Sequence, residues 1–199
     1  MRIVGGKHRG RRLEAPPGDA VRPTSDRARE AVFNILAHGG YGDGGASAVA
    51  GAVVLDAFCG TGAMGLEALS RGAARAIFVD NEPRSLVAAR ANIAALKEQA
   101  AARVIAADAT RPPPRPKDAP AATLAFFDPP YAEAVAAASL AGFAARGWLA
   151  AGALCVVEEG ARAGEFAAPA GFAVLEARRY GAARVTLLRY LGARDRPGE

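Results

Sequence analysis

The sequence predicts an α/β fold in which a mostly parallel seven-stranded sheet carries helices on both faces, ends in an antiparallel hairpin and is preceded by a small hairpin and helix extension. Three observations carry this. From residue 52 onward, short Val/Ile/Leu/Phe runs alternate with helix-periodic stretches, as parallel strands joined by crossover helices require. The last two apolar runs, 172–179 and 184–191, are separated only by a turn at 180–183, which is too short for a crossover and fits an antiparallel pair. A glycine turn, Gly60-Thr61-Gly62, directly follows the first run, where a parallel sheet binds its ligands.

The chain opens differently. Residues 2–4 and 11–15 are short β-prone pieces joined by Gly5, Gly6 and Gly10, which predicts a small hairpin or arm. Pro23-Thr24-Ser25-Asp26 then offers helix-capping side chains, and Ala28, Ala31, Val32, Ile35 and Leu36 follow at the spacing of one buried helical face. A Gly-rich segment, 39–51, is expected to be a mobile loop. The expected elements thereafter are a strand at 52–56, a helix at 62–71, a strand at 75–80, a helix at 83–97 and a strand at 103–107. After a Pro-rich loop at 111–120 come a strand at 124–128, a helix at 133–146 and a strand at 153–158. This divides the chain into an extension over 1–50, a main domain over 51–192 and a tail over 193–199.

A chain of 199 residues supports one sizeable core and not two. Its net charge of +5 is concentrated at the ends. Arg2, Lys7, Arg9, Arg11, Arg12, Arg22, Arg27 and Arg29 outnumber the acids of the N-terminal stretch, Arg178, Arg179, Arg184, Arg189, Arg194 and Arg196 those of the C-terminal one, and the middle is net acidic. Such a distribution suggests a polyanion held by the flanks, with Arg9, Arg11, Arg22 and Arg27 as candidate RNA contacts. The two cysteines, Cys59 and Cys155, support neither a disulfide framework nor a zinc site, and no metal is expected. The N-terminus lacks an apolar leader and the Ala-rich run 132–145 is interrupted by Glu133, Ser139 and Gly142, so a soluble cytoplasmic protein without membrane attachment is expected.

The cofactor signal is Val53-Val54-Leu55-Asp56-Ala57-Phe58-Cys59-Gly60-Thr61-Gly62. Glycines at 60 and 62 let the turn bend sharply and let a ligand lie against the backbone at a helix N-terminus. Gly65 completes a G-x-G-x-x-G that alone would suggest a dinucleotide, and an NAD-dependent oxidoreductase is the alternative reading. Asp56 argues against it: a carboxylate just before the turn repels a pyrophosphate but can hold the ammonium of an amino-acid moiety. S-adenosylmethionine has that ammonium and no phosphate. Asp80, followed by Asn81, can accept ribose hydroxyls in either cofactor class, and Asp108-Ala109 stands where an adenine amino group could be read, or where an Asp simply caps a turn.

The discriminating motif is Asp128-Pro129-Pro130-Tyr131, after the fourth main-domain strand. An exocyclic base amine is a poor nucleophile because its lone pair is delocalised into the ring. The Asp128 carboxylate and the Pro129 carbonyl could each accept one N–H and so hold the nitrogen near tetrahedral, Pro130 fixes the carbonyl direction, and Tyr131 offers a face for an extruded base. Covalent pyrimidine methylation needs a Cys nucleophile, whereas Cys59 and Cys155 sit in a turn and an apolar strand as small packing residues. Such a site can serve guanine, adenine or cytosine amines. A non-catalytic RNA-binding module is disfavoured by the intact motif.

At these residues the chain resembles the bacterial RsmD-type family of 16S ribosomal RNA guanine-N2 methyltransferases. The likeness includes Arg2-Ile3-Val4-Gly5-Gly6, Arg9-Gly10-Arg11, Arg22-Pro23-Thr24, Asp26-Arg27, Arg29-Glu30, Phe33-Asn34, Asp56 to Gly62, Gly65 to Arg71 and Asp128 to Tyr131. The resemblance implies a Rossmann-like class I S-adenosylmethionine-dependent methyltransferase fold. It implies as substrate one guanine of 16S rRNA in an assembled or partly assembled small subunit; a monomeric enzyme is a separate expectation. Thr24 and Arg27 are then candidates to close over the cofactor's carboxylate. The 39–51 and 111–120 loops depart from the family pattern.

Overall fold

A computed structural model of the chain describes residues 1–15, 26–129, 133–161 and 164–192. The parallel strands are β1 (Val53–Ala57), β2 (Arg75–Asp80), β3 (Ala102–Ala106), β4 (Ala122–Phe127) and β5 (Leu149–Gly160). They are completed by β6 (Phe172–Tyr180) and β7 (Ala183–Tyr190), and the sheet order is β3-β2-β1-β4-β5-β7-β6. β7 is antiparallel to both of its neighbours. The order reverses at β1, from which β2 runs to one side and β4 to the other, and that reversal opens a crevice at the carboxyl ends of the strands. The architecture is Rossmann-like, as the alternation predicts.

Apolar side chains fill both faces of the sheet. On one face α1 (Asp26–His38), α2 (Ala63–Ser70) and α3 (Pro83–Ala95) pack over Val54, Phe78, Phe126 and Val156. Ile3 and Leu13 of the N-terminal arm and Val49 of the Gly-rich loop belong to that same cluster. On the other face α4 (Glu133–Ala145) lays Ala136, Leu140 and Phe143 against Leu55, Phe127 and Cys155, closed by Trp148. The Pro-rich loop joins this layer through its backbone and a side chain: Trp148 Nε1 donates to the Pro113 carbonyl at 2.7 Å, Arg115 N to Arg146 O at 3.1 Å and Arg115 Nε to Gly147 O at 2.5 Å.

One expectation for the extension holds and two are corrected. The N-terminal arm forms as expected, its two limbs pairing antiparallel through the Arg2 to Arg12 bridge, with Ile3 N donating to Arg11 O at 2.9 Å and Leu13 N to Met1 O at 3.1 Å, around a 3-10 turn at Gly6–His8. The Gly39 to Gly51 stretch is a compact loop rather than a loose one. Val49 is buried, Ala48 N donates to the Leu36 carbonyl at 2.9 Å, and Arg189 donates to the Tyr41 carbonyl at 2.9 Å. On α1 the buried stripe is Ala28, Arg29, Val32, Phe33 and Leu36, while Ala31 and Ile35 are half-buried. The stripe is rotated because Arg29, which hydropathy assigns to solvent, is buried against charged partners. The tail over 193–199 lies outside the described residues.

Candidate active site

The turn after β1 is built by two carboxylates. Asp56, buried within β1, accepts a hydrogen bond from the Gly65 amide at 2.8 Å and so supplies the cap that α2 lacks at Gly62. Asp80, at the end of β2, accepts from the Gly60 amide through Oδ2 and from the Glu82 amide through Oδ1, both at 2.8 Å. Two further turn amides are committed, Cys59 N to Val79 O and Gly62 N to Cys59 O. Gly60 and Gly62 take φ of 53° and 79°, as the left-handed turn demands. Gly65 serves packing: a Cβ there would stand 2.4 Å from Phe78 Cε1, so the glycine lets α2 lie close on β2.

Beside this turn is a cleft of about 220 Å³. Phe58, Asp80, Asn81, Asp108 and Ala109 line it, joined by Thr110 and Val135. Five of the residues singled out from sequence thus face one space. Phe58 holds φ 60°, a strained value for a residue with a Cβ, and so turns its ring toward the cleft mouth. Asp108 Oδ1 accepts from Thr110 Oγ1 at 2.7 Å and Thr110 N at 2.8 Å, which holds its carboxyl below the usual carboxylate range. Asp108 is therefore both a turn former and an ionised acceptor at the cleft. Thr110 and Val135 went unread in the sequence; an Asx turn two residues long was the available signal for Thr110, and nothing local marks Val135.

The character of the cleft selects its ligand. Two carboxylates and no basic side chain stand among its described lining residues, and the Gly60 and Gly62 amides of the glycine turn are spent on Asp80 and the Cys59 carbonyl. A pyrophosphate finds no counter-charge among those residues. A nucleoside with a cationic amino-acid arm finds acceptors for its hydroxyls and amines. Burial, with Asp128 and Asp80 nearby, pushes the Asp56 carboxyl up to about 8, so a cationic group brought beside it relieves an unfavourable ionisation.

β4 brings the second motif to the same place. Ala57 pairs with Phe127 in the parallel register of β1 and β4, so Phe58 and Asp128 leave the sheet side by side, at the ~4.8 Å spacing of adjacent strands. Asp128 is exposed and Pro129 half-buried. Pro130 and Tyr131 lie outside the described residues, as do Arg22 and Thr24. Arg27 is exposed on the first turn of α1. Arg9 and Arg11 are exposed too, but the structure does not bring them to the cleft. Arg11 donates to the Ala95 carbonyl at the C-terminal end of α3, the end remote from Asp80. Cys59 and Cys155 are buried, and burial pushes both thiols up, as fits packing residues. No group of His, Cys, Asp and Glu suited to a metal ion occurs among the described residues, and no described helix is long and apolar enough to cross a membrane.

Comparison with known proteins agrees with this geometry. The model of the family described as Conserved hypothetical protein 95 matches residues 1–189. The ribosomal RNA small subunit methyltransferase D of Escherichia coli is 36% identical over 174 residues, 87% of this chain and 82% of that protein. The protein of the same name from Haemophilus influenzae is 30% identical over 79% of this chain and 78% of its own. The structure of yhhF from Escherichia coli superposes with a TM-score of 0.79 at 30% identity, covering 98% of this chain and 99% of the other. With a match over nearly its whole length and relatives at these identities, the chain belongs to the RsmD-type methyltransferase family.

Proposed function

We propose that this protein transfers a methyl group from S-adenosylmethionine to the exocyclic N2 amine of one guanine in 16S rRNA, by direct in-line transfer. It acts as a cytoplasmic monomer on an assembled or partly assembled small subunit. The observation that supports the reading is the β1–β4 pairing of Ala57 with Phe127, from which one strand continues into the glycine turn and the other into Asp128 and Pro129. The names of the relatives support rRNA as the substrate. When bound, S-adenosylmethionine supplies a methyl group already activated by its sulfonium, so no nucleophilic side chain is required.

The chain's own residues divide the remaining work. Asp80, with Asn81 beside it, accepts the ribose hydroxyls, Asp108 and Ala109 meet the adenine edge, and Phe58 covers the nucleoside. Gly60 and Gly62 allow close approach to the backbone, and Asp56 faces the ammonium. Thr24 is suited to the carboxylate of the amino-acid arm. The Asp128 carboxylate and the Pro129 carbonyl each accept one N–H of the base amine. This holds the nitrogen's lone pair toward the methyl; as the N–C bond forms and the S–C bond breaks, with S-adenosylhomocysteine as leaving group, the surplus proton passes to solvent by way of the Asp128 carboxylate. Pro130 stiffens that carbonyl, and Tyr131 stacks on the base. Arg9, Arg11, Arg22 and Arg27 supply counter-charge to RNA outside the cleft.

Mapping the methylated nucleoside by mass spectrometry, after incubation with unmodified small subunits and labelled cofactor, is expected to give a single N2-methylguanosine. Methyl on adenine N6 or cytosine N4 would reassign the base, and an unmodified particle would remove rRNA as the substrate.

Cofactor binding is expected to depend on pH. Because the folded Asp56 holds its proton until about pH 8, its stabilising contribution is complete below the unfolded value of about 3.9 and is lost as pH rises through 8. An ammonium seated beside the carboxylate reverses that preference. Affinity for S-adenosylhomocysteine should therefore climb between pH 6 and 8, by at most about tenfold per unit, with proton release detectable by calorimetry in buffers of different ionisation enthalpy. Flat affinity over that range would leave Asp56 with its capping role alone.

A further inference from the structure

We propose that Asn92 is a positioning residue for cofactor binding, whose side-chain amide ties the end of the N-terminal arm to the cofactor turn so that the two are held as one unit. The assignment rests on the reading of residues 58–62 as that turn. Asn92 lies within α3 and is 1% exposed. Its Oδ1 accepts from Glu14 N at 2.8 Å, and its Nδ2 donates to Glu14 O at 3.0 Å and to Thr61 O at 3.0 Å. One side chain thus gives Glu14 the two hydrogen bonds that a neighbouring strand would give, and spends its second donor on the middle residue of the glycine turn.

Burial of an amide is unfavourable unless its partners stay in place, and here the partners come from two separate segments. The Thr61 carbonyl lies between Gly60 and Gly62, whose left-handed torsions set its direction, so holding that oxygen holds the turn. A second contact repeats the link: Thr61 Oγ1 lies 3.7 Å from Met1 Sδ, on the other limb of the arm. Glu14 and Ala15 lead into the stretch that contains Arg22 and Thr24, so the anchor also fixes where that stretch begins. Neither apolar core cluster needs an amide at this point in α3, and the three hydrogen bonds account for its presence.

Two variants test the link from opposite sides. Asn92→Asp keeps the size and the Oδ1 acceptor but turns an oxygen toward two carbonyls, and Glu14→Pro removes the arm's N–H without touching α3 or the turn. In hydrogen–deuterium exchange both are expected to speed exchange of amides 58–66 by about tenfold while β1 and β4 stay protected. The KM for cofactor should rise in parallel, with single-turnover rates at saturating cofactor within about twofold of wild type. Unchanged exchange at 58–66 in Glu14→Pro, with intact S-adenosylhomocysteine binding by the wild type, would overturn the assignment alone. A uniform rise that includes β1 and β4 in both variants would mark Asn92 as purely structural and overturn it as well. No binding of S-adenosylhomocysteine by the wild-type protein would instead overturn the cofactor reading, and with it any role in cofactor binding.

Discussion

Asp128→Asn is expected to lower single-turnover methyl transfer by on the order of 10²-fold or more, while leaving the fold and cofactor affinity near wild type. Asp128 is the first residue beyond β4, is exposed, and belongs to neither apolar cluster, so the substitution removes charge without disturbing packing. The base amine becomes acidic only as its nitrogen gains the methyl group, so a carboxylate acceptor strengthens its hydrogen bond along the reaction, whereas the Asn amide oxygen strengthens it far less. The loss should therefore fall on the chemical step and not on KM. S-adenosylhomocysteine titration should confirm an intact cofactor site, apart from the release of Asp56 from a neighbouring negative charge. Wild-type rates in Asp128→Asn, with folding verified and substrates saturating, would leave alignment by the Pro129 carbonyl as the surviving account.

The sheet and its cleft were legible because both follow from patterns confined to a few consecutive residues. Strand 75–80 matches β2 residue for residue, and the shortness of the 180–183 turn was enough to make β6 and β7 antiparallel. The cleft residues were legible because a doubly wound sheet brings the ends of β1, β2 and β3 together, so residues just past those ends meet without any knowledge of side-chain contacts. What was hidden depends on pairings distant in sequence. Val4 N donates to Glu67 Oε2 and His8 N to Ser70 Oγ, across more than sixty residues each, and those bonds turn a basic arm into part of the core. Arg29 reads as a surface charge and Asn92 draws no reading for the same reason, since burial of a charge or an amide is decided by partners that no local pattern displays. The strain at Phe58 was invisible too, because glycine and not phenylalanine is the usual sign of a positive φ.

Glu67→Ala is expected to destabilise the protein by about 3 kcal/mol or more, a large share of the roughly 5–15 kcal/mol that holds a domain of this kind together. Glu67 and Arg29 are both fully buried. The carboxylate accepts from Arg71 Nε at 2.7 Å and from Val4 N at 2.8 Å, and it lies 3.7 Å from Arg29 Nε. Removing it strips a buried guanidinium of one counter-charge, leaves the Val4 amide without its acceptor, and loosens Arg71, which stacks over Phe33 at 5.2 Å. Arg29 keeps Asp26 at 2.8 Å and the Arg2 carbonyl, so the cost should sit toward the lower end of what breaking a buried pair entails. Urea unfolding should show a lower midpoint with an unchanged m-value, since the surface exposed on unfolding is nearly the same. The double variant Glu67→Met with Arg29→Met should recover part of the loss, because two apolar side chains of similar volume avoid the uncompensated charge. A loss below about 1 kcal/mol in Glu67→Ala would mean that water reaches Arg29 once the carboxylate is gone, and that the arm is held by its apolar contacts through Ile3 and Leu13 instead.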